Sequence, residues 1–346
     1  MSHSPLRLRI DTDALVANWR WLAARSGVAA CGAAVKANGY GLGARGVAMH
    51  LANAGCRDFF VATWNEADAL LEWAGDGSIS VLHGFGEEDL RRAAGSPARP
   101  VLNTMRQVRD WREAEAGRPC DVMIDTGINR LGLSPDEVRS GALDGLEIET
   151  LMSHLACADE DREMNEAQRA LFAEVAAAVP AKRRSLANSA GICLGQDYAF
   201  DLTRPGLALY GGMPRAEAEG GIRQVVRVEA QVVQRRRVEA GASVGYNATF
   251  TARRDTEVAI LNIGYADGYL RGFSGTGRAR LGDLFLPVVG RVSMDLTAIA
   301  VDTAPGVAEG DWVELDYHLP SAAAQSGLSQ YELLTTLGSR HERIWS

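Results

Sequence analysis

One lysine stands where an apolar stretch gives way to a glycine-rich turn, in the run Ala33-Ala34-Val35-Lys36-Ala37-Asn38-Gly39-Tyr40-Gly41. An ammonium group at the end of an apolar strand loses hydration, which lowers its proton affinity. A neutral amine is the nucleophile that condenses with a carbonyl. Lys36 is therefore a candidate for covalent attachment of a carbonyl-bearing group, although a lone lysine at such a place more often only closes a strand at the surface.

The same turn also matches a second pattern. Gly41-Leu42-Gly43-Ala44-Arg45-Gly46 fits the dinucleotide-binding pattern G-x-G-x-x-G directly after a strand. That pattern requires an acidic residue about 20 residues further on, at the end of the second strand. The apolar run from Phe59 to Thr63 ends without an acid, and the first acid after it is Glu66. We reject the dinucleotide interpretation, which also leaves Lys36 without a role.

Composition and charge exclude several classes of function. The chain has 346 residues, 47% of them hydrophobic, which is enough for two domains with a core each. Its net charge is −8, from 36 basic and 44 acidic residues, without a basic run. Nucleic acid and anionic membranes are therefore poor partners. No window approaches the roughly 20 apolar residues of a membrane span and the N-terminal segment lacks an apolar signal region, so we expect a cytoplasmic protein.

The cysteines and histidines do not form a recognisable metal site. The five cysteines are scattered and odd in number, which favours reduced thiols over a disulfide framework. His154 and Cys157 lie three residues apart, but no second ligand pair accompanies them. We therefore expect no bound metal.

Strand and helix patterns alternate along most of the chain. After a short strand at 6–10 and a helix that Asp11 caps, strands are predicted at 28–36, 58–63, 79–83, 99–103, 120–125, 147–153, 184–187 and 199–204. Stretches such as 64–75, 104–116 and 161–178 read as amphipathic helices. Eight such units predict an α/β fold with a parallel (β/α)8 barrel, whose chemistry lies where the strands end. A doubly wound sheet is the alternative fold.

The rhythm changes near Arg223. Alternating strand patterns separated by glycine-rich turns follow, at 225–238, 257–263, 284–291 and 312–315. We predict a barrel domain at 1–222 and a C-terminal, mostly β domain at 223–346. Residues 1–11, which include the strand at 6–10, can pair with the second domain.

The lysine segment has a close counterpart in a known family. Ala-Val-Lys-Ala-Asn-Gly-Tyr-Gly-Leu-Gly, at 34–43, resembles the cofactor-lysine motif of the alanine racemase family. The resemblance implies a (β/α)8 barrel with a C-terminal β domain, and pyridoxal 5′-phosphate as cofactor. It also implies that Lys36 carries this cofactor covalently.

Polar residues follow the ends of the later barrel strands. They are Arg130 after strand five, His154 after strand six, Asn188 and Ser189 after strand seven, and Arg204, Gly206 and Leu207 after strand eight. The loops after the last two strands of such barrels commonly bind phosphate through backbone N–H groups. Ser189, Gly206 and Leu207 fit that role, while Asn188 and Ser189 would also serve as an ordinary helix cap. Each block resembles the matching block of alanine racemases.

The resemblance assigns further contacts with the cofactor. It makes Tyr40 and Tyr331 phosphate partners and places Arg130 at the phenolic oxygen. It places Arg204 at the pyridine nitrogen, where many other pyridoxal enzymes have an acid. Because arginine does not give up its proton, the ring nitrogen would stay neutral and protonation at the substrate α-carbon would be favoured. His154 would orient Arg204, whose alternative role from sequence is an ion pair with Asp201.

Racemisation needs an acid and a base on opposite faces of a planar intermediate. Lys36 can serve one face. The resemblance assigns the other face to Tyr246, in Ser-Val-Gly-Tyr-Asn-Ala-Thr, whose free pKa of about 10 requires a nearby positive centre. In the family this tyrosine reaches the cofactor of the other subunit, so the resemblance implies a homodimer with shared active sites.

Two further blocks of the β domain match the family. Tyr265, in Gly-Tyr-Ala-Asp-Gly-Tyr, resembles a tyrosine that narrows the substrate entrance. Met294 and Asp295, in Gly-Arg-Val-Ser-Met-Asp, resemble residues that border the substrate, which Arg130 also contacts. One departure is Met123, which stands where the family often has a carbamylated lysine that orients the arginine corresponding to Arg130.

Taken with the resemblance, these residues imply an alanine racemase that interconverts L- and D-alanine and supplies D-alanine for peptidoglycan. A serine or broader amino-acid racemase of the same fold is one alternative, because a pocket admits an added hydroxyl at little cost. A non-catalytic pyridoxal phosphate carrier is another, but such proteins lack the β domain. A pyridoxal-dependent decarboxylase would usually supply a cysteine from its C-terminal domain, and no cysteine follows Cys193.

Overall fold

A computed structural model describes residues 4–114 and 117–346. The described chain forms two compact units, residues 15–223 and residues 4–14 together with 224–346. They are called the barrel unit and the β unit below. The predicted barrel and the mostly β second unit are both confirmed. No helix in the described ranges is long and apolar enough to cross a membrane.

The barrel unit is built from short parallel strands in chain order. In the described ranges these are Ala30–Cys31 with Ala33–Ala34, Asp58–Val61, Ser78–Val81, Arg99–Leu102, Cys120–Met123, Ile148–Met152, Ala181–Ser185 and Leu202–Thr203. Parallel pairing runs from Ala33 opposite Phe59 through to Met152 opposite Ser185. Leu202 pairs with Ala30, and Asp201 N–H donates to the Arg184 carbonyl at 3.0 Å, so the eighth strand closes the ring.

Helices cover the outside of the strands. Those described are Thr12–Arg25, Ala44–Ala54, Trp64–Asp68, Leu90–Gly95, Met105–Ala114, Pro135–Arg139, Glu163–Ala177 and Ser189–Leu194. Short 3-10 turns lie at Gln196–Tyr198, Leu207–Tyr210 and Ala216–Ala218. The predicted cap at the first helix is confirmed, because Asp11 Oδ1 accepts the Ala14 N–H at 2.7 Å.

The observed bounds of several barrel strands differ from the predicted ones, and two of these differences have a clear physical reason. The stretch 28–36 forms two short strands that break at Gly32, where the chain changes partner from strand eight to strand two. A Cβ at Gly32 would lie 2.7 Å from the Asp58 carbonyl oxygen, so only glycine permits this approach. Strand seven lies at Ala181–Ser185 rather than 184–187 because its charges are paired: Arg183 bonds Asp58 at 2.7 Å.

The β unit is organised on the long strand Val226–Val238. Its alternate residues Val226, Val228, Ala230 and Val232 are buried, as the alternating pattern predicts. The other described strands of this unit are Leu6–Ile10, Ser243–Val244, Phe250–Thr251, Thr256–Leu261, Arg278–Leu281, Leu284–Pro287, Thr297–Ala300, Trp312–Leu315 and Glu342–Trp345. The two helices in its described part are Leu319–Ser326 and Gln330–Thr335, and 3-10 turns lie at Tyr246–Ala248, Tyr265–Asp267 and Arg271–Phe273.

Both ends of the chain join this sheet. Leu6–Ile10 pairs antiparallel with the long strand, Ile10 opposite Val226, and parallel with Glu342–Trp345. A small separate core of Val238, Ala252, Val258 and Val289 packs under the hairpin of Ser243–Val244 and Phe250–Thr251. That hairpin carries Tyr246 between its strands.

Candidate active site

Lys36 opens a left-handed turn at the end of the first barrel strand. Ala37, Asn38 and Gly39 have φ of 51°, 53° and 63°. Gly39 N–H donates to the Val35 carbonyl at 2.8 Å and Gly41 N–H to the Ala37 carbonyl at 2.9 Å. A left-handed conformation costs an L-residue roughly 1–2 kcal/mol, so the surroundings must hold this turn in place.

Lys36 differs sharply from the other lysine of the chain, Lys182. Burial lowers the pKa of Lys36, and the positive charges of Arg130 and Arg204 lower it further, against an opposing effect of Glu66. Lys182 is exposed, and its ion pairs with Glu147 and Glu149 raise its pKa. The amine suited to nucleophilic attack is therefore that of Lys36.

The predicted phosphate loops meet at Gly206. The Ser189 hydroxyl accepts N–H groups of Gly206 at 2.9 Å and Ala208 at 3.2 Å, which joins the loops after strands seven and eight. A Cβ at Gly206 would lie 2.2 Å from the hydroxyl of Tyr40. Tyr40 in turn stacks on Tyr210 at 4.6 Å between ring centroids. These contacts form a tight polar cradle, in which a residue larger than glycine at position 206 would have to displace Tyr40.

The neighbouring positions Asn188 and Leu207 begin two short helical elements. Asn188 Oδ1 accepts the Gly191 N–H at 2.9 Å, so it caps the helix Ser189–Leu194. Leu207 is buried and is the first residue of the turn Leu207–Tyr210. Both elements start beside the cradle, where backbone N–H groups suit a phosphate.

A methyl group at Gly206 would test the cradle. Gly206→Ala adds a Cβ 2.2 Å from the Tyr40 hydroxyl, so Tyr40 or the loop after strand eight must move to make room for it. We expect pyridoxal phosphate to bind at least about tenfold more weakly, as measured by titrating the apo-protein at the cofactor's visible band. Gly86→Ala is the control, since a Cβ there meets nothing within 4 Å. Unchanged affinity in Gly206→Ala would contradict the cradle.

Arg204 is buried, and its guanidinium is hydrogen-bonded by residues at the ends of two barrel strands. Its guanidinium donates to the Ser185 hydroxyl and to the Ser153 carbonyl oxygen. Asp201 instead accepts the N–H of Arg184, so the ion pair that sequence allowed for Arg204 does not form in the described chain. Burial lowers the pKa of Arg204 to about 10, which leaves it charged at neutral pH.

His154 lies near Arg204 with its backbone fixed. Gln168 Nε2 donates to the His154 carbonyl oxygen at 3.0 Å and Gln168 Oε1 accepts the Ala156 N–H at 2.9 Å. Burial lowers the pKa of His154 to about 3, and the positive charges of Arg204, Arg130 and Lys36 contribute. The imidazole is therefore neutral at neutral pH. Among the described residues, Ser185 and Ser153 rather than His154 hydrogen-bond the Arg204 guanidinium.

An aspartate fixes the loop of Arg130. The Asp125 carboxylate accepts N–H groups of Gly127 at 2.8 Å, Asn129 at 3.1 Å and Arg130 at 3.0 Å. The loop backbone is therefore anchored without help from position 123, where Met123 is buried. The Arg130 side chain itself is exposed.

The substitution Met123→Lys tests this anchoring. Because Asp125 already fixes the backbone of Arg130, we expect kcat/KM for alanine to change by less than about tenfold. The measurement is steady-state kinetics, normalised to the amount of bound cofactor. Complete loss of activity in a cofactor-loaded variant would show that Asp125 alone does not keep Arg130 in its working position.

Tyr246 lies at the tip of a hairpin in the β unit. It is 68% exposed and follows Gly245, whose φ is +80°. A Cβ at Gly290 would lie 2.4 Å from the Val244 carbonyl oxygen, so the segment before Arg291 packs directly on the hairpin. A cavity of about 540 Å³ borders Tyr246 and Arg291.

The blocks of Tyr265 and Met294 are joined by backbone hydrogen bonds. Tyr265 N–H donates to the Ser293 carbonyl and Ala266 N–H to the Met294 carbonyl, both at 3.0 Å. Arg340 bonds Asp267 at 2.7 Å and Asp295 at 2.8 Å, which ties both blocks to the end of the chain. The β unit thus brings together Tyr265, Met294 and Asp295.

Tyr331 lies in the helix Gln330–Thr335 of the β unit and is 47% exposed. Ser329 and Glu332 cap that helix reciprocally. The structure thus groups the predicted residues by unit. The barrel unit carries Lys36, Tyr40, Arg130, His154, Asn188, Ser189, Arg204, Gly206 and Leu207, and the β unit carries Tyr246, Tyr265, Met294, Asp295 and Tyr331.

The barrel residues fit pyridoxal phosphate. The cofactor needs an amine to carry it, and Lys36 is an amine of lowered pKa among guanidinium groups. It needs polar partners for a phosphate, and the Gly206 cradle brings the hydroxyl groups of Tyr40 and Ser189 close together at the ends of two barrel strands. The positive charges of Arg130 and Arg204, which both act on Lys36, suit an anionic cofactor.

Several residues of the site were not found from sequence. Asp125, Ser153, Ser185 and Gln168 hold Arg130, Arg204 and His154 in place through hydrogen bonds. Asp125 had a usable signal, because Asp-Thr-Gly after a strand is a typical side-chain-to-backbone turn. The others bond across the fold and leave no local pattern.

Comparisons with known proteins identify the family of this chain. Residues 10–214 match the family model "Alanine racemase, N-terminal domain" and 225–345 match "Alanine racemase, C-terminal domain". Agrobacterium fabrum has a catabolic alanine racemase with 42% identity over 98% of this chain and 91% of its own. Its biosynthetic alanine racemase has 40% identity over 98% and 93%.

A solved structure matches equally completely. The alanine racemase of Bartonella henselae with covalently bound pyridoxal phosphate has a TM-score of 0.92 and 38% identity, and the match covers 100% of both chains. Together with the two family models, this match covers both units. The chain therefore belongs to the alanine racemase family.

Proposed function

We propose that this protein interconverts L- and D-alanine with pyridoxal phosphate bound to Lys36. The observation that carries the proposal is the half-buried Lys36 amine, whose pKa is lowered by burial, Arg130 and Arg204, in a chain of the alanine racemase family. We propose that its D-alanine supplies peptidoglycan synthesis; of the two Agrobacterium fabrum relatives, one is named biosynthetic and the other catabolic. The barrel unit holds the cofactor and the β unit supplies the second base, which makes the two units the functional domains.

The residues that would hold the cofactor lie at the strand ends of the barrel unit. Lys36 would bind it covalently, while Tyr40, Ser189, Gly206 and Leu207 would hold its phosphate with help from Asn188 and Tyr331. When bound, pyridoxal phosphate supplies an electron sink that weakens the Cα–H bond of an amino acid. Arg130 would face the phenolic oxygen and the substrate carboxylate.

Arg204 would set the character of that electron sink. It keeps its charge at neutral pH, because its pKa of about 10 lies well above 7. A guanidinium donates hydrogen bonds but does not surrender its proton, so it would leave a ring nitrogen unprotonated. A weaker electron sink favours return of a proton to the α-carbon over other reactions. His154, neutral because its pKa is about 3, adds no competing acid.

Two groups would move the proton on opposite faces. The Lys36 amine would serve one face and the Tyr246 phenol would serve the other. Tyr265, Met294 and Asp295 would border the substrate and limit the size of its side chain. Tyr246 is 68% exposed and Met294 53% exposed, which suits residues that complete a site on another copy of the chain.

We therefore propose a cytoplasmic homodimer with shared active sites. Leu296, which is 41% exposed, adds to the apolar surface beside Tyr246 and Met294. The five cysteines are free thiols, as is usual in a reducing compartment. In such a dimer each cofactor site combines Lys36 of one copy with Tyr246 of the other.

Mixing two inactive variants tests the shared site. Lys36→Ala and Tyr246→Phe, unfolded and refolded together, form mixed dimers in which one site has both native residues. We expect recovery of about a quarter of the wild-type activity, since half of the dimers are mixed and each has one native site. Recovery only in the mixture, followed with size-exclusion chromatography, supports the shared dimer. No recovery from mixtures shown to contain mixed dimers would refute it.

The substrate is tested with a panel of amino acids. Purified holoenzyme is incubated separately with L-alanine, L-serine and larger L-amino acids, and the enantiomers are separated by chiral chromatography. We expect alanine to give the highest kcat/KM and larger side chains to be rejected. Faster racemisation of serine, or release of an amine, would overturn the assignment. Complementation of a D-alanine auxotroph tests the role in peptidoglycan supply.

A further inference from the structure

Glu66 connects the second barrel strand with the lysine turn. Its Oε2 accepts the N–H groups of Ala62 at 2.7 Å and Thr63 at 3.3 Å. These contacts belong to the cap of the helix Trp64–Asp68, to which Thr63 contributes reciprocally. Its Oε1 accepts the N–H of Ala37 at 2.7 Å, in a different element and adjacent to Lys36. One oxygen therefore caps the helix, and the other bonds the lysine turn.

The same kind of helix cap occurs at two other described helices, where the glutamate does not bond a second element. Glu137 caps Pro135–Arg139 and Glu332 caps Gln330–Thr335, each with Oε2 on its own serine. Among the hydrogen bonds of the described residues, neither carboxylate accepts an N–H group from another element. Helix capping alone therefore does not account for the contact between Glu66 and Ala37.

A hydrogen bond to the Ala37 N–H is well placed to hold the left-handed turn that follows Lys36. Ala37 has a φ of 51°, and the bonds inside the turn begin only with the Gly39 N–H. The carboxylate bonds the first amide of the strained turn, one residue from the amine. A hydrogen bond to an ionised group is about twice as strong as a neutral one, which suits it to offset backbone strain. The carboxylate also acts on the pKa of Lys36, in the opposite direction to Arg130 and Arg204.

We propose that Glu66 is a positioning residue for Lys36, acting through its hydrogen bond to the Ala37 N–H. The inference rests on the proposed function of Lys36 as cofactor carrier and base. By fixing the left-handed turn, Glu66 keeps the Lys36 amine where it reaches both the cofactor and the α-hydrogen of the substrate. The first acid after the second strand thus serves the lysine turn, not a dinucleotide ribose.

Amide hydrogen exchange in the holoenzyme tests the anchor directly. In Glu66→Gln, the amides of residues 37–43 are expected to exchange at least about tenfold faster than in the wild type. Glu137→Gln, which weakens a matched cap elsewhere, should leave the turn unchanged. Thr63→Ala, which weakens the same cap but retains Glu66, should affect residues 64–68 and not the turn. Unchanged exchange of the turn in Glu66→Gln, or equal acceleration in Thr63→Ala, would overturn the proposal.

Steady-state kinetics provide a second measurement, which a general folding defect would not change in the same way. In cofactor-saturated Glu66→Gln we expect kcat for alanine to fall about tenfold while KM changes less than about threefold, because the amine and not the substrate pocket is displaced. Equal effects on Glu66→Gln and Glu137→Gln would contradict the proposal. If the wild-type protein failed to racemise alanine, the proposed function would fall, while hydrogen exchange would still decide whether Glu66 anchors the turn.

Discussion

Lys36→Ala is expected to abolish covalent attachment of pyridoxal phosphate and to lower racemase activity by at least about 10⁴-fold. Lys36 is the amine whose pKa is lowered by burial and by Arg130 and Arg204. Without it the cofactor loses its covalent link and one face of the substrate loses its proton acceptor. The measurements are the visible absorption band, the mass of the protein after borohydride reduction, and chiral analysis of alanine.

The second lysine provides the control. Lys182 is exposed and paired with Glu147 and Glu149, so Lys182→Ala should keep the cofactor and the activity. Peptide mass analysis of reduced wild-type protein should place the cofactor on Lys36 and not on Lys182. A cofactor-modified Lys182 peptide, or full activity in Lys36→Ala, would refute the assignment.

Tyr246→Phe is expected to retain the covalently bound cofactor and to lose about 10²–10⁴-fold in racemisation. Only a hydroxyl is removed from a side chain that is 68% exposed, so the fold and the cofactor site of the barrel unit should be intact. The remaining base still serves one face. We therefore expect solvent exchange of the α-hydrogen of one enantiomer to persist while inversion is lost.

A second tyrosine separates this effect from a general loss of hydroxyl groups. Tyr198 bonds Glu166 at 3.4 Å, at the surface of the barrel unit, so Tyr198→Phe should racemise alanine normally. The comparison uses NMR of the α-hydrogen together with chiral chromatography. Normal racemisation of both enantiomers by Tyr246→Phe would show that the Tyr246 phenol is not one of the two bases.

The barrel could be predicted because its strands are apolar and regularly spaced. Phe59 to Val61 and Val101 to Leu102 are buried runs that predict parallel strands, and the structure has them. Strand seven was misplaced because Lys182 to Arg184 is charged, and its place in the sheet depends on an ion pair across the fold. Local patterns do not contain that partner.

The β unit was predicted less completely. Strands at Arg278–Leu281, Thr297–Ala300 and Glu342–Trp345 were missed. Arg278–Leu281 and Glu342–Trp345 are short and rich in charge. They form strands because each pairs with a neighbouring strand of the sheet. Glu342–Trp345 pairs with Leu6–Ile10, more than three hundred residues away in the chain.

The site shows the same division between local and distant signals. Lys36 and Tyr246 stand in long motifs that a sequence displays directly. Two residues that hold the site in place, Ser185 for Arg204 and Glu66 for the lysine turn, act through single hydrogen bonds between distant segments. Such bonds depend on the tertiary structure and could not be predicted from spacing.

The central claim is that separate groups remove and return the α-hydrogen on opposite faces. The most direct measurement incubates wild-type holoenzyme with L-alanine in deuterated water and follows the first turnovers by NMR and chiral mass analysis. The account predicts that the D-alanine formed carries deuterium from its first appearance, while the remaining L-alanine keeps its hydrogen. D-alanine that retains the original hydrogen would mean that one base serves both faces and would contradict the account.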